Sequence, residues 1–178
     1  MGKTGFFLSV AMIGALVVSL IANIHLYTVN NRLKGELSDL KAQVQDLQHV
    51  EFQTIAKGHF SGHRSSAYYV IESDSVWTTV WNQHSRNTLP QPPPPEIDFS
   101  DSTVIAVFMG TYPSGGYSIE VKALIETSQS VTVKVEKTYP GMGCGTVAVF
   151  TQPCHIVKTE KIYKEIVFET VDRIRECT

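Results

Sequence analysis

Few residue pairs in this chain could do chemistry. Cys154 and His155 are adjacent, the composition of a thiol nucleophile and its base. The segment that begins at Cys154 reads as a strand. Neighbouring strand residues point to opposite faces, so the two cannot meet as nucleophile and base. No G-x-S-x-G nucleophile signature is present. His59 and His63 share the segment HFSGH, but His49, His59, His63, His84 and His155 are scattered and supply no third ligand at a metal-site spacing. The reading is a chain without metal, cofactor or catalysis, with a hydrolase using His155 as an alternative.

The cysteines are Cys144, Cys154 and Cys177. Cys144 and Cys154 flank the segment TVAVF, residues 146–150, which reads as a strand. Across the ends of a hairpin they would reach the Cα spacing of about 5.5 Å that a disulfide needs. They are the candidate bridge, and Cys177 is then free or links two chains.

The turn TYPSGGY, residues 111–117, is the candidate contact surface. Pro113 presets φ, and Gly115 and Gly116 permit positive φ. A glycine-rich phosphate cradle would need a helix N-terminus, whereas this turn leads into a strand. Exposed Tyr, Pro and Gly offer shape at low ordering cost, which suits a protein partner. The candidate contact residues are Tyr112, Pro113, Ser114, Gly115, Gly116 and Tyr117, with His155 on a neighbouring strand.

The elements that must hold these residues are mostly strands. Residues 67–71 (AYYVI) are β-rich, and residues 103–110 (TVIAVFMG) form an unbroken apolar run, as for a strand buried on both faces. Residues 117–126 and 130–140 alternate, the latter with Val131, Val133 and Val135 inward. Residues 154–161 and 165–171 add two more strands. One helix is expected after Asp74 or Ser75, with Val76, Trp77, Val80 and Trp81 at helical spacing and the tryptophans as core. Pro92, Pro93, Pro94 and Pro95 cannot enter a helix or central strand and read as a stiff spacer. The fold class is therefore mainly β: an antiparallel sandwich or partly open barrel of six or seven strands with one short helix.

Two segments precede this body. Residues 6–27 are almost wholly apolar and carry no Asp, Glu, Lys or Arg, which is enough to span a bilayer as a helix. The run is longer than the core of a cleaved signal and lacks a good cleavage site, so a retained signal anchor over residues 1–27 is expected, with the body outside the cell membrane. A stalk over residues 28–50 follows. Leu26, Leu33, Leu40 and Leu47 fall on one heptad position, and Asn30, Leu37 and Val44 on another. This is a coiled-coil seam in which a single Asn favours one register. The candidate oligomerisation residues are Asn30, Leu33, Leu37, Leu40, Val44 and Leu47. The body occupies residues 51–178. A net charge of −2 on 178 residues gives no basic face for nucleic acid.

Several of these segments together resemble the C-terminal domain of PrcB-type protease-complex proteins, over roughly residues 51–178. They are IDFS (97–100), TVIAVFMGTYPSGGYSIEV (103–121), YPG (139–141), PCHIVK (153–158) and VFE (167–169). The most specific pieces are Gly110, Pro113, Ser114, Gly115, Gly116, Tyr117, Ile119 and Val121 in the turn, and Pro153, His155, Ile156, Val157 and Lys158 in the following strand. The resemblance implies a β-rich, non-catalytic module that associates with a subtilisin-like protease and supports its stability. Cys154 departs from the pattern, where an aromatic is expected. The resulting expectation is a membrane-anchored subunit that binds and stabilises a surface protease complex. The alternative is a self-associating surface module for ligand binding or structure.

Overall fold

A computed structural model describes residues 3–45 and 47–177, without the side chains of residues 3–15, 17, 18, 43 and 45. It divides into two units, Met1–Asp46 and Leu47–Thr178. The first is one helix, α1 (Lys3–Gln45). Asn30, Leu33, Leu37, Leu40 and Val44 lie on α1, and the four apolar ones are all more than half exposed. Leu47 falls beyond the helix end. Most side chains of the apolar run lie outside the described residues; among the described residues no helix is long and apolar enough to cross a membrane.

In the second unit, the described residues form eight strands in two four-stranded sheets, with no closed barrel. The strands are β1 (Gln48–Val50), β2 (Phe52–Gly58), β3 (Ala67–Ile71), β4 (Ser102–Phe108), β5 (Ser118–Glu126), β6 (Ser130–Pro140), β7 (Cys154–Glu160) and β8 (Glu165–Arg175). One sheet has the order β1-β5-β6-β8, the other β2-β7-β4-β3. Pairing of the body thus starts at Gln48, inside the stretch assigned to the stalk.

The chain crosses between sheets at Glu51, whose carbonyl accepts a hydrogen bond from Thr159 Oγ1 at 2.7 Å. Strand β2 is absent from the sequence reading. It is an outer strand with a register shift between Thr54 and Ala56, which breaks the alternation that would reveal it. A second departure is the β6–β8 pair, which is parallel, where antiparallel pairing was expected.

Strand β4 is buried along its whole length, as its unbroken apolar run requires. Ile105, Val107 and Met109 face the other sheet and meet Ile119, Val121, Leu124, Val131, Val133 and Val135. Val104, Ala106 and Phe108 face the opposite way, onto the second helix, α2 (Asp74–Ser85). The second unit therefore has three layers with two cores. Each fully buried Val, Ile or Leu adds about 1.5–3 kcal/mol relative to exposure.

Helix α2 buries Trp77, Val80, Trp81 and Ser85, one stripe at helical spacing. Both tryptophans are core residues that also serve the proline segment. Trp77 Nε1 donates to the Pro95 carbonyl at 2.8 Å and Trp81 Nε1 to the Pro92 carbonyl at 3.1 Å. Prolines leave their carbonyls without sheet or helix partners, and a buried indole N–H needs an acceptor. The four-proline run is thus a strap fastened over α2.

Candidate partner-contact surface

The glycine turn begins where β4 ends. Gly110 has φ +89°, and a Cβ there would come within 2.9 Å of the Ser66 backbone nitrogen. Gly116 has φ +92°, a conformation that L side chains rarely adopt. Between them the chain reverses and brings three phenols together. Tyr112 and Tyr117 stack at 4.1 Å between ring centroids, and Tyr139 meets both edge-on at 6.2 and 6.0 Å. The three rings are partly buried and pack against the inter-sheet core. Burial and the neighbouring Tyr112 hydroxyl push the Tyr139 phenol up to about 12.

The turn is not an open surface. Tyr112 and Thr151 exchange two backbone hydrogen bonds of 2.9 Å, Thr151 Oγ1 donates to the Ser114 carbonyl at 2.8 Å, and Gly115 N–H donates to the Val147 carbonyl at 2.9 Å. Ser114, Gly115, Gly116 and Tyr117 are consequently half-buried, and Pro113 is exposed. The cover is the segment 141–150. It contains TVAVF, which was expected as a strand; instead it crosses the turn as an irregular loop joined to it through Gly115.

What the loop turns outward is apolar. Met142, Val147 and Phe150 are fully or two-thirds exposed and Val149 is 42% exposed. Phe60, 61% exposed, bridges to Gln152 just after the loop. Scattered apolar residues on a surface are ordinary; here four of them fall within nine residues of one loop.

The loop is clamped at its base. Cys144 is bonded to Cys177, with Cα atoms 5.1 Å apart. The expected Cys144–Cys154 bridge does not form, and Cys177 is neither free nor shared with another chain. The parallel register of β6 and β8 sets Pro140 opposite Arg175, so the two strands deliver Gly141 and Cys177 to the same corner. Gly141 N–H donates to the Arg175 carbonyl at 2.9 Å there.

Cys154 points the other way, into the core under α2, as a buried free thiol. Burial pushes that thiol up to about 11, which leaves it protonated and unreactive at neutral pH.

His155 is the second correction. It is 2% exposed and cannot touch a partner. The Val121 N–H donates to its Nδ1 at 2.9 Å, so the ring proton sits on Nε2, 2.9 Å from Thr54 Oγ1. Burial, with Lys57 adding to it, lowers its pKa to about 4. Cys154 and His155 therefore lie on opposite faces of β7, as neighbouring strand residues must.

His63 is also buried, stacked on Phe108 at 3.6 Å, and burial lowers its pKa. Among the described residues no group of three His, Cys, Asp or Glu side chains could hold a metal ion.

Sequence reasoning missed the loop as the exposed feature and the Thr54–His155–Val121 link. The signal available for the loop was the odd third cysteine at the chain's far end. Nothing in the sequence signalled the link.

Residues 103–160, from β4 through the turn and loop to the end of β7, match the family model described as PrcB C-terminal. Over that segment the chain resembles the family. No curated protein and no solved structure matches it.

Proposed function

We propose that this chain is a non-catalytic binding subunit. Its residues 1–27 anchor it in the cell membrane, residues 28–45, the rest of α1, gather copies, and the β-rich body outside the membrane binds and stabilises a protein partner. By the family resemblance that partner is a surface protease complex, of the subtilisin-like kind. The observation that carries the reading is the resemblance of residues 103–160 to the PrcB C-terminal family, centred on a turn whose cover presents Met142, Val147 and Phe150 outward. A disulfide-clamped loop loses little freedom on binding, which favours association. The Cys144–Cys177 bond also suits an oxidising compartment, in keeping with a body outside the membrane.

A second reading, a self-associating surface module without a protease, is favoured by Leu33, Leu37 and Leu40, all more than half exposed on α1.

The test is affinity capture of the full-length chain from detergent-solubilised membranes, followed by mass spectrometry. Recovery of a serine protease with the wild type, and its loss from a Met142→Ser/Phe150→Ser variant, supports the first reading. Recovery of the chain alone supports the second and removes the first.

A further inference from the structure

The two sheets have four outer strands, and three of them are guarded against pairing. Strand β1 has only three residues. Strand β8 carries Glu165, Glu169, Asp172, Arg173 and Arg175 along its length. Strand β2 carries Lys57 and a register shift. Short length, charge and bulges are the usual protections of a free edge. Strand β3 has none of them. Its sequence AYYVI holds no charge and no proline, and it pairs with β4 in unbroken register over all five residues. Its outer edge leaves a row of backbone N–H and C=O groups without sheet partners.

Beside that edge, Ala67 and Tyr69 of β3 face α2 across a groove. The chain reverses after Ile71, so α2 runs back along β3. Between them lie two adjoining hollows of about 310 and 190 Å³ that share Tyr69 and Gln83. The first is floored by Tyr69, Val76, Thr79 and Val80. Val76 is 43% exposed, apolar surface that no part of the body covers. The second hollow lies at the amino end of β3 and includes Arg64 and Arg86. Both arginines are exposed, and neither makes an ion pair among the described residues. The groove is closed at this end: the Gly62 N–H donates to the His84 carbonyl at 2.9 Å, and a Cβ on Gly62 would sit 1.9 Å from the Gln83 carbonyl oxygen and 2.3 Å from Arg86 Cγ.

We propose that this groove binds the extended carboxyl-terminal segment of a partner protein as an added antiparallel strand, with its apolar side chains on Tyr69, Val76 and the methyl of Thr79 and its terminal carboxylate held by Arg64 and Arg86. The closed, doubly cationic end calls for a chain that stops there and ends in negative charge. A carboxylate at the amino end of β3 fixes the direction as antiparallel, the arrangement of every other pair in this sheet. The five residues of β3 offer ~17 Å of edge, enough for a short tail. Backbone pairing supplies affinity in such a site, and pockets for alternate side chains supply specificity. The groove uses none of the residues of the 141–150 loop, so the inference stands apart from the function proposed above.

The experiment uses the full-length chain in detergent, immobilised through an appended tag. It is offered a pool of decapeptides randomised at the last four positions and ending in a free carboxylate, and the same pool ending in a carboxamide. Retained peptides are sequenced by mass spectrometry. The expected result is at least ten-fold enrichment of Val, Ile or Leu at one or more of the last four positions from the free-acid pool, and none from the amide pool. Arg64→Ala/Arg86→Ala should abolish the enrichment. So should Thr79→Arg, an exposed change that fills the groove, with Tm held within a few degrees of wild type in both. Hydrogen exchange at residues 68–71 should slow when the best peptide is added. Absence of enrichment, equal retention of the amide pool, or protection confined to other strands overturns the proposal.

Discussion

His155 on β7 and Val121 on β5 belong to different sheets, yet the Val121 N–H donates to His155 Nδ1 at 2.9 Å. The imidazole stands in for a missing strand. Strand β1 pairs with β5 only from Leu124 to Glu126, which leaves Val121 facing no backbone partner on that side. The other ring nitrogen is held by Thr54 on β2. One side chain thus joins three strands of two sheets.

Acid should loosen this joint. The folded-state pKa of His155 is lowered to about 4, against about 6.5 for an unfolded histidine. Between those values the unfolded chain binds a proton that the folded chain refuses, so stability falls as pH falls from about 6.5 to about 4. His63 and His84 are lowered in the same direction by burial and add to the slope. Tm measured across this range should drop in the wild type and drop less steeply in His155→Gln. A Tm independent of pH would show that the ring is not buried neutral. At neutral pH, His155→Ala strands the Val121 N–H and should cost about 2–4 kcal/mol, and Thr54→Val about 1 kcal/mol.

The clamp makes opposite claims for two cysteines. The Cys144–Cys177 bond closes a loop with a sequence separation of 33, so Cys177→Ser should lower stability by about 3.7 kcal/mol in the chain-entropy account. Reductant should reproduce that loss in the wild type and do nothing further to the variant. Cys154→Ser leaves the bridge intact but puts a hydroxyl in a buried apolar site, at about 1–3 kcal/mol. Thiol labelling of the folded, oxidised chain should find no reactive cysteine.

The glycine turn should respond unequally to single methyl groups. Gly116→Ala forces a side chain into φ +92° with Thr146 and Pro140 3.0–3.1 Å away and should cost about 1–3 kcal/mol. Gly115→Ala meets a Val147 methyl at 2.9 Å, the end of a side chain on an exposed loop that can give way. It should shift the loop and cost less. Denaturant unfolding of the two variants decides the order.

The proline strap predicts a polar cost within an apolar core. Trp77→Phe keeps an aromatic ring but removes the donor to the Pro95 carbonyl, and should destabilise by about 1–3 kcal/mol. Trp81→Phe, whose bond to Pro92 is longer and whose ring is less deeply buried, should cost less. Equal and negligible losses would mean that the strap is held by other contacts.

How far the sequence could be read follows from how local each signal is. The two-faced burial of β4, the inward valines of β6 and the helix around Trp77 and Trp81 were legible, because each depends on a period within a few residues. The positive φ at Gly116 was legible for the same reason, but Gly115 owes its importance to Val147 across the turn. Strand β2 was not legible, since its bulge scrambles the period-2 pattern and its partner β7 lies about a hundred residues on. The segment TVAVF has strand composition, but its N–H and C=O groups find the turn at Gly115 rather than a neighbouring strand, and context overrides β propensity.

The sequence by itself determined the local terms: which segments alternate, where the chain must turn, and which runs are apolar enough to be buried on both sides. Those terms are set by side-chain period and by the φ preferences of Gly and Pro, and act within a few residues. Only the tertiary structure decided the pairings. The parallel β6–β8 register brought Cys177, not Cys154, to Cys144. The stacking of the two sheets turned His155 from a surface candidate into a buried link. Strand order left β3 with an unguarded edge beside α2. Each of these is a distance between residues far apart in the chain, fixed by hydrogen-bond register and core packing, which no local pattern encodes.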